Sequence, residues 1–217
     1  MKVNISKILI LVLFFIGCFS EDESSDEDTT NSEVDSNLPI SKGLGKTSEI
    51  YVSNWNQLVA AISEDEQTST FFSINPDEVK WTSLEKDTLY YEFGNLENPQ
   101  TVFVINLNIN KEDNTVSDVE FFAPASKDEV NSQQSKLFFL IVIALSDETL
   151  DKNDRENILS NLGLYEELSN PRQLAGSVTK NNVRYILEPL IENNLLFGLN
   201  LYTSLLETTN AQRLKLL

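Results

Sequence analysis

Histidine is absent from this chain of 217 residues. Its absence excludes Ser-His-Asp and Cys-His catalysis within the chain, and it excludes zinc or copper sites built on imidazole. Acid–base chemistry would therefore depend on carboxylates, Ser/Lys pairs, tyrosine or arginine. The commonest neutral-pH catalytic machinery is missing, so we expect the protein not to be an enzyme.

Glycine and basic residues are also scarce. Of the seven glycines, only Gly43 and Gly45 lie close together, and they lack the preceding strand and following helix of a nucleotide-binding loop. Lysine and arginine number 16 against 34 acidic residues, which gives a net charge of −18. Such a surface repels phosphate groups, so we expect no nucleic-acid partner. Because histidine and a nucleotide-binding loop are both missing, we also expect no cofactor and no metal.

Cysteine occurs once, and the position of Cys18 is informative. Two lysines give the chain a positive start, residues 8–16 (ILILVLFFI) form a nine-residue apolar run, and Gly17 then precedes the cysteine. This layout is typical of a secretory signal peptide, and the run is shorter than the ~20 residues that span a bilayer. We therefore interpret residues 1–17 as a signal peptide.

The sequence FIGC at residues 15–18 resembles the lipobox of bacterial membrane lipoproteins, with Phe15 where that motif usually has leucine. The resemblance implies a thioether-linked diacylglycerol on Cys18 and attachment to the extracytoplasmic face of the cell membrane. Two alternatives remain open: cleavage before Glu21, which would release a secreted protein, and an uncleaved apolar anchor. A lipidated Cys18 would leave the mature domain without disulfides or a cysteine nucleophile.

Residues 18–37 follow the apolar run and carry eight carboxylates but no lysine or arginine. Like charges repel one another, and the segment has too little apolar surface to fold, so we interpret it as an extended tether. The alternative is an acidic segment that captures cations or basic peptides.

Residues 38–217 predict a single α+β domain with an antiparallel sheet of about five to seven strands and helices packed on one face. Residues 53–62 (SNWNQLVAAI) have the apolar period of a helix, with Ser53 or Asn54 as N-cap. Residues 151–163 predict another helix, which starts at Asp151 or Asn153 and has Gly163 at C′.

The longest apolar run of this domain, LFFLIVIAL at residues 137–145, fits either a buried strand or a buried helix. A capping-box pattern of Ser126 and Glu129 precedes it, and the helical spacing extends over about 20 residues. We therefore predict a central helix over 126–145.

Strands are predicted where β-type segments alternate between turns. The segments are 69–74, 78–84, 87–94, 101–109, 115–122, 181–188 and 195–203. Residues 110–114 fit a hairpin loop, and residues 189–194 are expected to join the last two strands as a terminal hairpin that rejoins the sheet.

Candidate site residues are few. Trp81 and Tyr90 lie among closely spaced aromatics and are candidates for a surface that binds a peptide or a glycan. Glu92 and Glu120 are candidates for the acid–base pair of a carboxylate hydrolase if their strands are adjacent. The acidic stretch at 151–157 superficially resembles a calcium loop, but a helix start accounts for it.

These features predict a surface-tethered lipoprotein of the bacterial envelope whose domain is a non-catalytic binding or accessory module. It would contact the membrane through the lipid on Cys18 and bind an unknown protein or peptide partner. One alternative is a protective or immunity lipoprotein that intercepts a cationic peptide or a phage component. The other alternative is the carboxylate hydrolase.

Overall fold

A computed structural model describes residues 44–64, 80–85, 87–94, 97, 101–125, 129–164, 176–193 and 195–206. Within these ranges the helices are α1 (Ser48–Glu64), α2 (Glu129–Ser146) and α3 (Lys152–Asn161). The strands are β1 (Thr82–Glu85), β2 (Thr88–Phe93), β3 (Phe103–Ile109), β4 (Val116–Pro124), β5 (Gly176–Lys180), β6 (Val183–Glu192) and β7 (Leu195–Leu205).

The seven strands form one antiparallel sheet in the order β1-β2-β3-β4-β7-β6-β5. The predicted hairpin between β3 and β4 is present, with Ile105 opposite Phe121 and Leu107 opposite Val119. These four side chains are fully buried, as the alternating pattern requires. The α+β class with an antiparallel sheet is thereby confirmed.

The last strand lies in the middle of the sheet. β7 inserts between β4 and β6, so that Leu201 pairs with Phe121 on one side and with Leu187 on the other. The terminal hairpin does rejoin the sheet, and it does so at the centre, because β7 pairs with β4 from Gly198 to Ser204 and with β6 from Leu195 to Leu205.

Helix α2 is the central buried helix that the capping pattern indicated. All nine residues from 137 to 145 are buried, so the run is apolar on every side because it has protein on every side. Phe138 contacts rings from α1 and from three strands, with centroid distances of 6.1 Å to Trp55, 4.8 Å to Phe93, 5.0 Å to Phe103 and 5.8 Å to Phe121. The core thus lies between the helices and one face of the sheet.

Helix α1 starts earlier than predicted. It begins at Ser48, and the backbone N–H of Ile50 donates to Thr47 Oγ1 at 3.4 Å, so Ser53 and Asn54 lie inside the helix instead of capping it. The extra turn is stabilised by Tyr51, which is fully buried one turn before Trp55. The prediction missed it because Tyr51 was not counted with the apolar face.

Helix α3 ends and begins as predicted. The Asp151 side chain accepts a hydrogen bond from Asp154 N at 2.8 Å, which is the N-cap arrangement. Gly163 has φ 81°, and Leu164 N donates to Leu159 O at 3.1 Å. A left-handed residue just after the helix is the C′ geometry that favours glycine.

Strand β5 was missed, and the bounds of others differ from prediction. β5 has only Val178 as a large apolar residue, because it is an edge strand with exposed Ser177 and Thr179. β6 continues through Pro189, which was expected to end it. β5 pairs with β6 only as far as Leu187, so Pro189 removes no hydrogen bond on that side.

Several predictions fall outside the described residues. They are the signal peptide at 1–17, Cys18, the tether at 18–37, the strand at 69–74 and the first residue of the α2 capping box, Ser126. They stay predictions.

Candidate binding face of the sheet

The sheet has a second face, directed away from the helices, which we call the outer face. One row of paired residues crosses it through all seven strands: Thr82, Tyr90, Asn106, Glu120, Tyr202, Ile186 and Ser177. Their chain neighbours point into the core because side chains alternate along a strand. The outer face is therefore where exposed or half-buried polar groups accumulate.

Glu120 occupies the centre of this face between two amides. Asn106 Nδ2 donates to Glu120 Oε2 and Asn200 Nδ2 donates to Glu120 Oε1, each at 3.2 Å. Asn200 Nδ2 also lies 3.0 Å from the Tyr202 hydroxyl oxygen. Burial and the nearby Glu120 charge raise the pKa of Tyr202 above its ordinary value. We call these four residues the Glu120 cluster.

A second polar group lies nearer the β3–β4 loop. Asn108 Nδ2 donates to Asp118 Oδ1 at 2.6 Å, and Thr88 Oγ1 donates to Asn108 Oδ1 at 3.1 Å. Ser117 Oγ donates to the other Asp118 oxygen at 2.9 Å. Together with the Glu120 cluster, this gives an outer face whose side chains are hydrogen-bonded to one another across four strands, β2, β3, β4 and β7.

Tyr90 belongs to the outer face, because it alternates along β2 with the inward-facing Tyr91 and pairs with Thr82 and Asn106. Its hydroxyl donates to Glu92 Oε2, and Glu92 itself is exposed. Partial burial, followed by the hydrogen bond and charge of Glu92, raises the pKa of Tyr90 to about 12. This tyrosine therefore stays protonated, and stays a hydrogen-bond donor, well above neutral pH.

Trp81 lies on the opposite face from Tyr90. Its ring meets Trp55 edge-on at 6.3 Å and lies 5.5 Å from Tyr91, and its Nε1 donates to Asn56 Oδ1 at 3.2 Å. The structure therefore does not bring Trp81 and Tyr90 together into one surface. Packing against α1 and the core accounts for the position of Trp81.

The candidate pair Glu92 and Glu120 is not on adjacent strands, because β3 lies between β2 and β4. Glu92 pairs with Val104, while Glu120 pairs with Asn106. Strand spacing and rise place their Cα atoms roughly 12 Å apart. The hydrolase hypothesis required Glu92 and Glu120 to lie on adjacent strands, and the sheet does not place them there.

The end of the outer face near the β6–β7 turn is apolar. Phe122 stacks on Phe197 at 5.8 Å between ring centroids. A Cβ on Gly198 would lie 2.2 Å from Phe122 Cε2, so the missing side chain makes room for this ring. The polar face therefore merges into an aromatic patch at one end.

A group of buried polar side chains lies inside the protein, between α1, α3 and β6. Arg155 is 5 % exposed, and its Nε and Nη1 have no hydrogen-bond partner. The hydroxyls of Tyr51 and Tyr185 are buried and also make no hydrogen bond. Burial lowers the pKa of Arg155 while the charges of Asp147 and Asp151 oppose the change.

Burial likewise raises the pKa of both tyrosines in this group above the ordinary value of 10.0. For Tyr51, the adjacent Ser146 acts in the opposite direction. For Tyr185, the charge of Asp147 adds to the effect of burial. Both phenols are thereby held in the protonated form.

One small cavity lies beside α2, with a volume of about 20 Å³, which is room for about one water molecule. It is lined by Pro124, Ser132, Ser135, Lys136, Phe139, Leu164 and Leu199, so it contains no carboxylate. Burial lowers the pKa of Lys136. In the part of the chain that the structure describes, no three Cys, Asp or Glu side chains group as metal ligands.

Asn106 and Asn108 alternate with the apolar residues of the predicted strand at 101–109, which places them away from the core, but no pattern in the sequence indicated the Glu120 cluster. Asn200 and Glu120 are 80 residues apart in the chain. The only available signal was the polar alternation within β7, where Asn200 and Tyr202 interrupt a leucine-rich strand.

Comparison of the chain with protein-family models, with curated proteins and with solved structures finds no match. Within the described ranges, none of the helices combines the length and apolar character that a membrane span requires.

Proposed function

We propose that this protein is a bacterial envelope lipoprotein, anchored through a lipid on Cys18, whose α+β domain binds a protein or peptide partner without catalysing a reaction. The anchor rests on FIGC at residues 15–18 and on the acidic tether that follows. The predicted tether at residues 18–37 would provide 20 residues between membrane and domain, a mean span of roughly 22–27 Å for a flexible chain.

The observation that carries the binding role is the Glu120 cluster. Both carboxylate oxygens of Glu120 are held by amides, so the side chains are pre-positioned and a ligand would not have to order them. The carbonyl oxygens of Asn106 and Asn200 are buried without a hydrogen-bond donor. An unmade hydrogen bond of this kind costs about 1–3 kcal/mol, which a ligand with N–H or O–H donors would recover only by displacing the side chains that cover these oxygens.

A second candidate function, the interception of a cationic peptide, is favoured by the charges of the outer face. Carboxylates of Glu92, Asp118, Glu120 and Glu188 lie on it, against the guanidinium of Arg184. Arg184 is already engaged, because its Nε donates to Ser177 Oγ at 3.1 Å. This distribution attracts a basic partner and repels an acidic one.

Site-specific photo-crosslinking in the producing bacterium tests the binding role. A crosslinking amino acid placed at Glu92 or Thr179, both exposed on the outer face, is expected to give a discrete adduct. The matched control positions are Ser53 and Gln57, both exposed on α1. Equal adducts from both faces, or adducts from α1 alone, would contradict a binding role for the outer face.

A further inference from the structure

The tip of the β6–β7 hairpin exposes large apolar side chains. On the outer face, Leu195 is 73 % exposed and Phe197 is 54 % exposed, while Ile191, the partner of Leu196, is 46 % exposed on the opposite face of the hairpin. Single exposed apolar residues are ordinary, but two large ones side by side on one face, as Leu195 and Phe197 are, favour an interaction site. We call these three residues the hairpin tip.

The hairpin tip is an ordered part of the sheet that extends past its neighbours. Ile191 pairs with Leu196 and Glu192 pairs with Leu195, so the strands remain paired up to the turn. On either side the adjacent strands stop earlier: β4 ends opposite Gly198, with Ala125 N still donating to Phe197 O at 3.0 Å, and β5 begins opposite Leu187. Among the described residues, the hairpin beyond Phe197 is therefore a two-stranded projection.

The hairpin tip is continuous with the aromatic end of the outer face. Phe197 stacks on Phe122, and Phe122 lies in the space over Gly198. The ring of Phe197 is therefore held in place on one side while about half of its surface faces solvent. Rigid aromatic groups that are half-exposed in this way are favoured as anchors in binding sites.

Carboxylates border the apolar surface. Glu188 and Glu192 are exposed, neither forms an ion pair within the described part of the chain, and residues 185–200 contain no lysine or arginine. Glu188 lies in the same register row as Phe122, with Asn200 between them. The patch is thus apolar at its centre and negative at its rim.

We propose that the hairpin tip binds a cationic amphipathic peptide, whose apolar side chains cover Leu195 and Phe197 while its lysines or arginines pair with Glu188 and Glu192. Charge complementarity selects this occupant. A second copy of the chain would bring carboxylates against carboxylates, and an anionic lipid surface would be repelled by the same charges. The inference rests on the proposed binding function and names its partner class.

Calorimetric titration with a synthetic leucine/lysine peptide, patterned as an amphipathic helix, tests the inference. The protein is used as purified from the producing bacterium, in phosphatidylcholine nanodiscs if it is lipidated, with empty nanodiscs as the blank. Binding is expected for this peptide and not for a leucine/glutamate peptide of the same pattern. The affinity should fall as salt is added, because the rim charges are exposed.

Two pairs of variants locate the site. Leu195→Ser with Phe197→Ser is expected to weaken binding about tenfold or more, because exposed aromatic and aliphatic anchors carry most of the energy. The matched control is Ile50→Ser with Leu84→Ser, which are exposed to similar extents elsewhere. Glu188→Gln with Glu192→Gln should weaken binding and flatten its salt dependence, whereas Glu49→Gln with Glu112→Gln, near the β3–β4 loop, should do neither.

Three results would overturn the inference. The first is no peptide binding, and the second is equal binding by the tip variants and the control variants. The third is that the protein does not bind the peptide but self-associates or binds neutral vesicles, and that the tip variants abolish this behaviour. The last result would assign the tip to a second copy or to a bilayer. Thr179 lies away from the tip, whereas Glu92 shares a register row with Phe122 and Glu188, so the proposed function survives these results if the Thr179 crosslink persists. Loss of both peptide binding and the Thr179 crosslink would remove the binding role altogether.

Discussion

Phe138→Ala is expected to lower the free energy of unfolding by about 3–5 kcal/mol. Phe138 is 2 % exposed and lies at the point where α2, α1 and the sheet meet. Its ring contacts Trp55 of α1 and Phe93, Phe103 and Phe121 of the sheet. Truncation would therefore remove ring contacts on two sides and leave a cavity that a sheet and a helix cannot easily close.

Urea denaturation followed by circular dichroism measures this loss, and Phe197→Ala is the matched control. Phe197 is the same residue type but is 54 % exposed, so its truncation should cost less than about 1 kcal/mol. A Phe138→Ala midpoint that lies close to that of Phe197→Ala would contradict the packing of α2 against the sheet.

Alkaline pH is expected to destabilise the protein steeply above about pH 10. Burial raises the pKa of Tyr51 and Tyr185, so below pH 10 both tyrosines are protonated in the folded and in the unfolded chain. Above pH 10 the unfolded chain releases protons that the folded chain retains, and the free energy of unfolding falls as pH rises. Each tyrosine contributes a slope of about 1.4 kcal/mol per pH unit.

Tyr185→Phe is expected to remove one of these contributions, so that the wild-type and variant stabilities diverge between pH 10 and pH 11.5. At pH 7 the substitution should cost little, because the Tyr185 hydroxyl makes no hydrogen bond. Tyr90→Phe is the comparison: the raised pKa of Tyr90 contributes in the same pH range, but Tyr90 is only half-buried and solvent screens its contribution, so its curve should diverge less than that of Tyr185→Phe. A Tyr185→Phe curve parallel to the wild-type curve above pH 10 would show that the buried phenol ionises freely.

The local periodicity of apolar residues predicted the elements that have one buried face and one exposed face. Helix α3 and the β3–β4 hairpin follow their patterns closely, because each has one face in the core and one in solvent. The run at 137–145 was ambiguous by period alone, and its helical state depended on the capping pattern and the length of the segment. Strand β5 escaped prediction because an exposed edge strand needs no apolar alternation.

The candidate site could not be predicted in full, because it depends on the order of the strands in the sheet. No local pattern indicates that β7 lies between β4 and β6, and this order alone brings Asn200 and Tyr202 beside Glu120. The same order places β3 between Glu92 and Glu120. Trp81 and Tyr90 were chosen because they are close in sequence. Tyr90 pairs with Thr82 and shares its face of the sheet, so the preceding residue, Trp81, lies on the opposite face.

The intact mass of the protein produced in a bacterium, with and without inhibition of the lipoprotein signal peptidase, tests the proposed anchor most directly. The expected result is a chain that begins at Cys18, carries a diacylglyceryl mass and partitions into detergent, with the unprocessed lipidated precursor accumulating under inhibition. A water-soluble chain that begins at Glu21 would contradict the anchor and make residues 21–37 the free N-terminus of a secreted protein.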